Sequence, residues 1–214
     1  MKITTYSHAC FTLEQDGRLM VVDPGTFSPD FQAHENTDVI LISHNHADHL
    51  NEDHIVSIVE RNPDVLVVGP DEVIRSIESP QITHTKAVLP NQEIAVGAFE
   101  MKFFGGSHAV IHPNFPLVEN IGVLVNGSFY YPGDSLIAPE DTEVKTLALP
   151  LTAPWSKISE TIDFLRRVKP ARAFPVHDAI LSSDGKHVYD QMISGVAEDA
   201  GIAYERIAGN PIDV

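Results

Sequence analysis

The spacing of apolar positions changes several times along the chain, and each change marks an element. Two β-rich runs, 10–15 and 18–23, flank Asp16-Gly17, which predicts a hairpin. Pro24-Gly25 then ends the second strand. The continuous apolar run 38–43 reads as a strand buried on both faces. Past the polar Asn51-Glu52-Asp53, Ile55, Ile58 and Val59 sit at helical spacing, so a capped helix is predicted to end near Asn62-Pro63. A second buried strand, 64–68, and a short helix, 71–77, complete a βαβ pattern. The middle returns to strands: 93–96 and 99–104 alternate around Gly97, and 121–125 and 128–131 flank Asn126-Gly127, a second hairpin signal. The last third predicts a strand at 145–149, a helix at 156–168, a strand at 171–176, a helix at 186–200 and a final strand at 202–207. Ile158, Ile162, Leu165 and Val168 form the apolar face of the first of these helices.

Strands followed by a βα portion occur twice, with no linker-like stretch between. The expected organisation is a single domain over 1–214 built of two similar halves. The expected fold class is α/β: a four-layer αββα sandwich, two mixed sheets packed together and flanked by helices.

Composition narrows the partners. Lys plus Arg number 14 against 30 Asp plus Glu, a net charge of −16. That balance disfavours nucleic acid and anionic membranes, which need clustered cations. The longest apolar runs, 39–42 and 65–68, are far too short to span a bilayer. Met1 to His8 carries one cation and no apolar run, so a cytoplasmic protein is expected. One cysteine excludes a disulfide framework and thiol-rich zinc modules, whereas histidines number 11. Any metal here would be held by imidazole and carboxylate.

The segment Ser43-His44-Asn45-His46-Ala47-Asp48-His49 follows a buried strand and places four metal-capable side chains within six residues. His44 and His46 alternate along an extended chain and can face one ion; Asp48 and His49 follow as the chain turns and can face another. The bland alternative is a solvated loop before a helix. One loop cannot complete two metal sites, so further ligands are expected at other strand ends. His108 follows Phe103-Phe104-Gly105-Gly106-Ser107, Asp134 follows Tyr130-Tyr131-Pro132-Gly133, and His177 follows Phe174-Pro175-Val176. Loops at such ends gather along one edge of an α/β framework.

Taken together, His44-x-His46-x-Asp48-His49, His108, Gly133-Asp134 and His177 resemble the metallo-β-lactamase fold superfamily of metal-dependent hydrolases. The resemblance runs from Asp23 to His177. The opening Ser7-His8-Ala9-Cys10-Phe11 is similar to the small bacterial branch that includes ascorbate-phosphate lactonase. The resemblance implies that His44, His46 and His108 hold one divalent ion, that Asp48, His49 and His177 hold a second, and that Asp134 bridges them. Zinc is the expected metal, with manganese or iron compatible. Asp23, in Val21-Val22-Asp23-Pro24, would orient ligand histidines through hydrogen bonds. The implied chemistry is hydrolysis of a small ester, lactone, amide or phosphodiester by a metal-bridging hydroxide. Asp48 and Asp134 are the expected catalytic carboxylates, Asp48 aiming the hydroxide.

Several residues have two readings each. His112 could replace His108 as ligand, touch substrate or donate a proton. His8, at the end of the first strand, lines the cleft or is structural. Trp155 forms a pocket wall or packs a core or lid. Asp178 lies beside the site or faces solvent, and His34, His54, His84 and His187 are expected at the surface. The expected partner is a small molecule, an anionic one included, since two cations would attract it despite the negative chain. Oligomeric state is not set by these features. Two other functional classes fit the same ligands: an iron-dependent redox enzyme on this scaffold, and a metal-binding protein without turnover. An RNA-processing nuclease is disfavoured by the low basic count.

Overall fold

The computed structural model of the protein describes residues 1–207 and 211–213. The first half runs β1 (Lys2–Thr5), β2 (Phe11–Gln15), β3 (Arg18–Val22), β4 (Thr37–Leu41), α1 (Glu52–Arg61), β5 (Leu66–Gly69), α2 (Asp71–Ser76) and β6 (Thr85–Ala87). The second runs β7 (Glu93–Val96), β8 (Phe99–Gly105), β9 (Ile121–Val125), β10 (Phe129–Tyr131), β11 (Thr146–Pro150), α3 (Ile158–Val168), β12 (Arg172–Val176), α4 (Ser183–Ala200) and β13 (Ala203–Tyr204). A last strand, β14 (Ile212–Asp213), returns to the first sheet beside β1.

The strands form two sheets, ordered β14-β1-β2-β3-β4-β5-β6 and β13-β12-β11-β10-β9-β8-β7. Both are mixed in the same way. Hairpin-joined strands pair antiparallel. From β3 to β6 and from β10 to β13 the pairing is parallel. The two predicted hairpin turns form with left-handed central residues: Asp16 and Gly17 at φ 53° and 75°, Asn126 and Gly127 at φ 48° and 61°. That backbone matches strand twist in a two-residue loop.

Period-two alternation decides the layers. Val22, Val39 and Leu41 point between the sheets, where they meet Phe103, Val123, Phe129, Tyr131 and Phe174. Their neighbours Val21, Ile40 and Ile42 point outward onto Ile55 and Ile58 of α1 and Val73 of α2. On the other face, Leu147 and Leu149 of β11 meet Phe164 and Leu165 of α3 and Ile193 of α4. The result is the α/β/β/α order expected from the sequence.

The largest differences from the expected element ends lie near the end of the chain. Helix α4 begins at Ser183 because the Ser182 hydroxyl accepts the Gly185 N–H and caps it there. The strand expected at 202–207 forms only over Ala203–Tyr204. Past it, Arg206 is drawn to the Asp190 and Asp178 carboxylates.

Candidate metal centre

The candidate residues sit where strands end, and the chain leaves those strands through left-handed backbone. Asp23 after β3, His8 before β2 and His177 after β12 have φ of 44°, 62° and 60°. A non-glycine residue held there costs of order 1–3 kcal/mol, which the surrounding structure must over-determine. Gly133, at φ 64°, makes the corresponding turn before Asp134. A Cβ on Gly133 would stand 2.3 Å from Asn120 Oδ1. At Gly25 the constraint is contact: a Cβ there would lie 1.8 Å from the Asp48 carbonyl oxygen. Only glycine lets the loop after β3 pass beneath the Asp48-His49 turn. Backbone bonds then tie the loops together, with Thr26 N donating to Ala47 O at 2.8 Å and Ile121 N to Ser43 O at 2.9 Å. Ala109 N donates to Asp134 O, and His177 N to His8 O, each at 2.9 Å.

All seven residues expected as ligands come together. Ligand atoms of His44, His46 and His108 lie within 4.8 Å of one another, and so do those of His8, Asp48, His49 and His177. Asp134 lies between the two groups. Its Oδ2 is 3.3 Å from His108 Nε2 and 3.0 Å from His177 Nε2, and its Oδ1 is 3.3 Å from His49 Nε2.

Hydrogen bonds at the far side of each ring set which nitrogen faces the centre. His49 Nδ1 donates to Asp23 Oδ2 at 2.8 Å and His177 Nδ1 to Thr152 O at 2.8 Å. His108 Nδ1 donates to the Ala109 carbonyl. The Ser43 hydroxyl donates to Asp23 Oδ2 at 2.6 Å, so at 3.0 Å it can only accept the His44 Nδ1 proton. Each ring thus turns its Nε2 inward, the nitrogen that can offer a lone pair to a cation in place of a proton. His46 differs: its Nδ1 is the inward atom, 3.1 Å from His44 Nε2.

Three of those nitrogens, on His49, His108 and His177, are buried without a hydrogen-bond partner, and so is Asp134 Oδ1. One such atom costs about 1–3 kcal/mol. Imidazole nitrogens gathered around a buried carboxylate oxygen, with no hydrogen-bond partner of good geometry, are a donor set that fits a site for cations.

The charge states follow the same layout. Burial works against a charged His49, yet the carboxylates of Asp134, Asp23 and Asp48 outweigh it and raise the ring to about 9. His177 is raised too, burial again being outweighed by Asp134. Burial and the neighbouring His49 push His44 well down. Burial would raise Asp48 and Asp134, but the surrounding histidines hold both carboxyls below their ordinary range.

Asp23 lies beneath the cluster, against His49. It is fully buried and accepts from Ser43 N at 2.7 Å, the Ser43 hydroxyl, His49 Nδ1 and the Tyr131 hydroxyl at 2.6 Å. Ser43, Tyr131 and Asn120 were not singled out from the sequence. Asn120 is fully buried and accepts the Asp134 N–H at 2.9 Å. Only Ser43, next to His44, carried any sequence signal. His8 is inside the cluster: Nε2 donates to Asp48 Oδ2 at 3.0 Å, while Nδ1 faces the Ala179 N–H. Trp155 touches the cluster directly, since its indole N–H donates to Asp134 Oδ2 at 2.9 Å.

Other candidates lie outside. The ring of His112 is not grouped with the ligand atoms; its Nδ1 accepts the Asn114 N–H at 3.2 Å. Asp178 is buried but pairs with Lys186 and Arg206. His34 and His54 are half-buried with partners, the Tyr6 hydroxyl and the Pro24 carbonyl, and the Phe31 ring packs against both. Cys10 is buried, and its thiol is pushed up by that burial, so it is no nucleophile. Among the described residues no helix is long and apolar enough to cross a membrane.

A family model described as beta-lactamase superfamily domain matches residues 2–177. Protein Rv0786c of Mycobacterium tuberculosis is 38% identical over 195 residues, covering 88% of this chain and 89% of that one. A UPF0173 metal-dependent hydrolase of Carboxydothermus hydrogenoformans is 30% identical over 196 residues, covering 83% and 84%. Among solved structures, the metallo-beta-lactamase fold protein YhfI of Bacillus subtilis superposes with a TM-score of 0.72 at 15% identity, over 99% of each chain. CmlA, a diiron beta-hydroxylase of Streptomyces venezuelae, has a TM-score of 0.72 at 16% identity, over all of this chain and 54% of that one.

Proposed function

Because the chain belongs to the beta-lactamase superfamily and is a metal-dependent hydrolase of it, we propose that it holds two divalent ions, zinc by preference, and hydrolyses a small ester, lactone, amide or phosphodiester. The observation that carries this reading is the set of buried, partnerless atoms on His49, His108, His177 and Asp134. His44, His46 and His108 would hold one ion, and Asp48, His49 and His177 the other, with Asp134 between. The chemistry such ions supply is Lewis acidity, which polarises the substrate's electrophilic oxygen and lowers the pKa of water.

The protein's own groups do the rest. Asp48 is the most exposed carboxylate of the cluster at 25% of its side chain, so it is the one that meets the attacking water. The His8 N–H on Oδ2 keeps it ionised and fixes its plane, and its free lone pairs aim that water. Asp23 and the Thr152 carbonyl hold the His49 and His177 rings in one tautomer.

Metal analysis with zinc titration tests the reading. It expects two equivalents bound, and loss of both metal and turnover in Asp134→Ala. Absence of affinity for zinc, manganese and iron would overturn it. An iron-dependent redox enzyme, the chemistry that CmlA's name carries on this fold, would instead show tight iron and reversible redox absorption.

A further inference from the structure

The chain from His108 to Val118 makes a loop closed at its neck by His108 N donating to Val118 O at 3.0 Å. This loop encloses a cavity of about 160 Å³ whose inner wall is His46 and His108. The rest of the wall is Ala109 to Pro113 and Phe115 to Leu117, and among the described residues it holds no Lys, Arg, Asp or Glu. Three side chains of the wall, Val110, Phe115 and Leu117, are 61%, 62% and 59% exposed. Such large apolar groups, gathered beside a polar centre, mark a binding surface. Lys186 and Arg206 line a different cavity, together with His8, and are held by Asp178.

Resting on the hydrolase reading above, we propose that this cavity takes the apolar acyl arm of an uncharged carboxylic ester or lactone, about six carbons long. The size follows from volume, since about 150 Å³ accommodates benzene, and the apolar character from Val110, Ile111, Phe115 and Leu117, which share the wall with His46, His108 and His112. The orientation follows from the wall, because an arm seated there leaves its carbonyl beside His46 and His108. One water is consumed: its oxygen bonds to the acyl carbon, the acyl carbon–oxygen bond breaks, and the leaving oxygen departs with one of the water's protons. The His112 ring, on the same wall, has its Nδ1 occupied as an acceptor, so Nε2 carries the hydrogen and can donate to that leaving oxygen. An anionic arm would find no counter-charge on this wall and would lose hydration on entering it.

The test uses the full chain loaded with zinc. In a series of p-nitrophenyl esters from acetyl to decanoyl, kcat/KM should rise about two- to fourfold per methylene up to about six carbons and then level off. Trp155, the one tryptophan, has its ring 6.0 Å from that of His108, so its fluorescence reads binding without turnover. It should respond saturably to hexanamide and not to acetamide. A Phe115→Ser, Leu117→Ser double variant should keep its metal and its Tm and lose both preferences. A flat ester series, equal response to the two amides, or faster turnover of bis(p-nitrophenyl) phosphate would overturn the proposal while leaving the hydrolase reading intact. So would a dimer that the double variant dissolves, with a flat series, since a second copy would then cover the patch. Variant-sensitive hexanamide binding without hydrolysis of any ester, lactone, amide or phosphodiester would support the cavity and overturn the hydrolase reading.

Discussion

Asp23→Asn isolates what the buried carboxylate beneath the cluster contributes. Asp23 Oδ2 faces three donors, the Ser43 hydroxyl, His49 Nδ1 and the Tyr131 hydroxyl, and Oδ1 faces a fourth, the Ser43 N–H. Asparagine supplies one acceptor oxygen and one donor nitrogen of the same shape. Its better orientation puts the oxygen toward the three donors and sets its NH₂ against the Ser43 N–H. That leaves a buried donor unsatisfied, about 1–3 kcal/mol, and turns three charge-assisted bonds into neutral ones, each weaker by about 0.5–1 kcal/mol. Relief of the carboxylate's desolvation offsets part of this. The expected loss is about 2–4 kcal/mol of unfolding free energy by urea denaturation. Because the His49 ring loses its fixed partner, zinc affinity should also fall about 10–100-fold by competition titration. Stability within about 0.5 kcal/mol of the parent, together with unchanged zinc affinity, would refute the reasoning. Tyr131→Phe removes one of the four donors and should cost less, about 1–2 kcal/mol.

Stripping metal with a chelator should lower Tm, by about 5–10 °C if zinc was present at 100 times its Kd, and added zinc should restore it; an unchanged melt would contradict a resident cation. His108→Gln should lose one of two bound metals by elemental analysis, whereas His112→Gln should keep both and alter only turnover. Gly25→Ala forces a methyl into the Asp48 carbonyl; calorimetry should show a loss of at least about 2 kcal/mol, with metal uptake impaired. Trp155→Phe deletes the N–H on Asp134 Oδ2, so zinc should bind about tenfold more weakly with near-UV signals of the core retained.

Much of this protein is written in short-range pattern. The Asp-Gly and Asn-Gly turns, the apolar faces of α1 and α3 and the continuous runs that became β4 and β5 all depend on residues a few positions apart, so spacing alone reveals them. The loop from His44 to His49 is legible for the same reason, and the scarcity of thiols already limited the ligands to nitrogen and oxygen. The position of Trp155 past β11 was visible; its bond to Asp134 was not. The strand at 202–207 was overestimated because an alternating apolar pattern is silent about a competing ion pair at Arg206.

What only the tertiary structure decided are the partnerships across long stretches of chain. Tyr131 reaches Asp23 across 108 residues, His8 reaches Asp48 across 40 and Trp155 reaches Asp134 across 21. Tyr131, in β10, meets Asp23 only after the two sheets pack, whereas the other two bonds join strand-end loops that the order of strands within one sheet brings to one edge. The inward nitrogen of each histidine was decided there too, because a neutral imidazole presents its lone pair opposite whichever nitrogen already donates. The wall beside His46 belongs to the same class: its residues lie between the strands expected at 99–104 and 121–125, and closure at the neck of 108–118 gathers them next to the site.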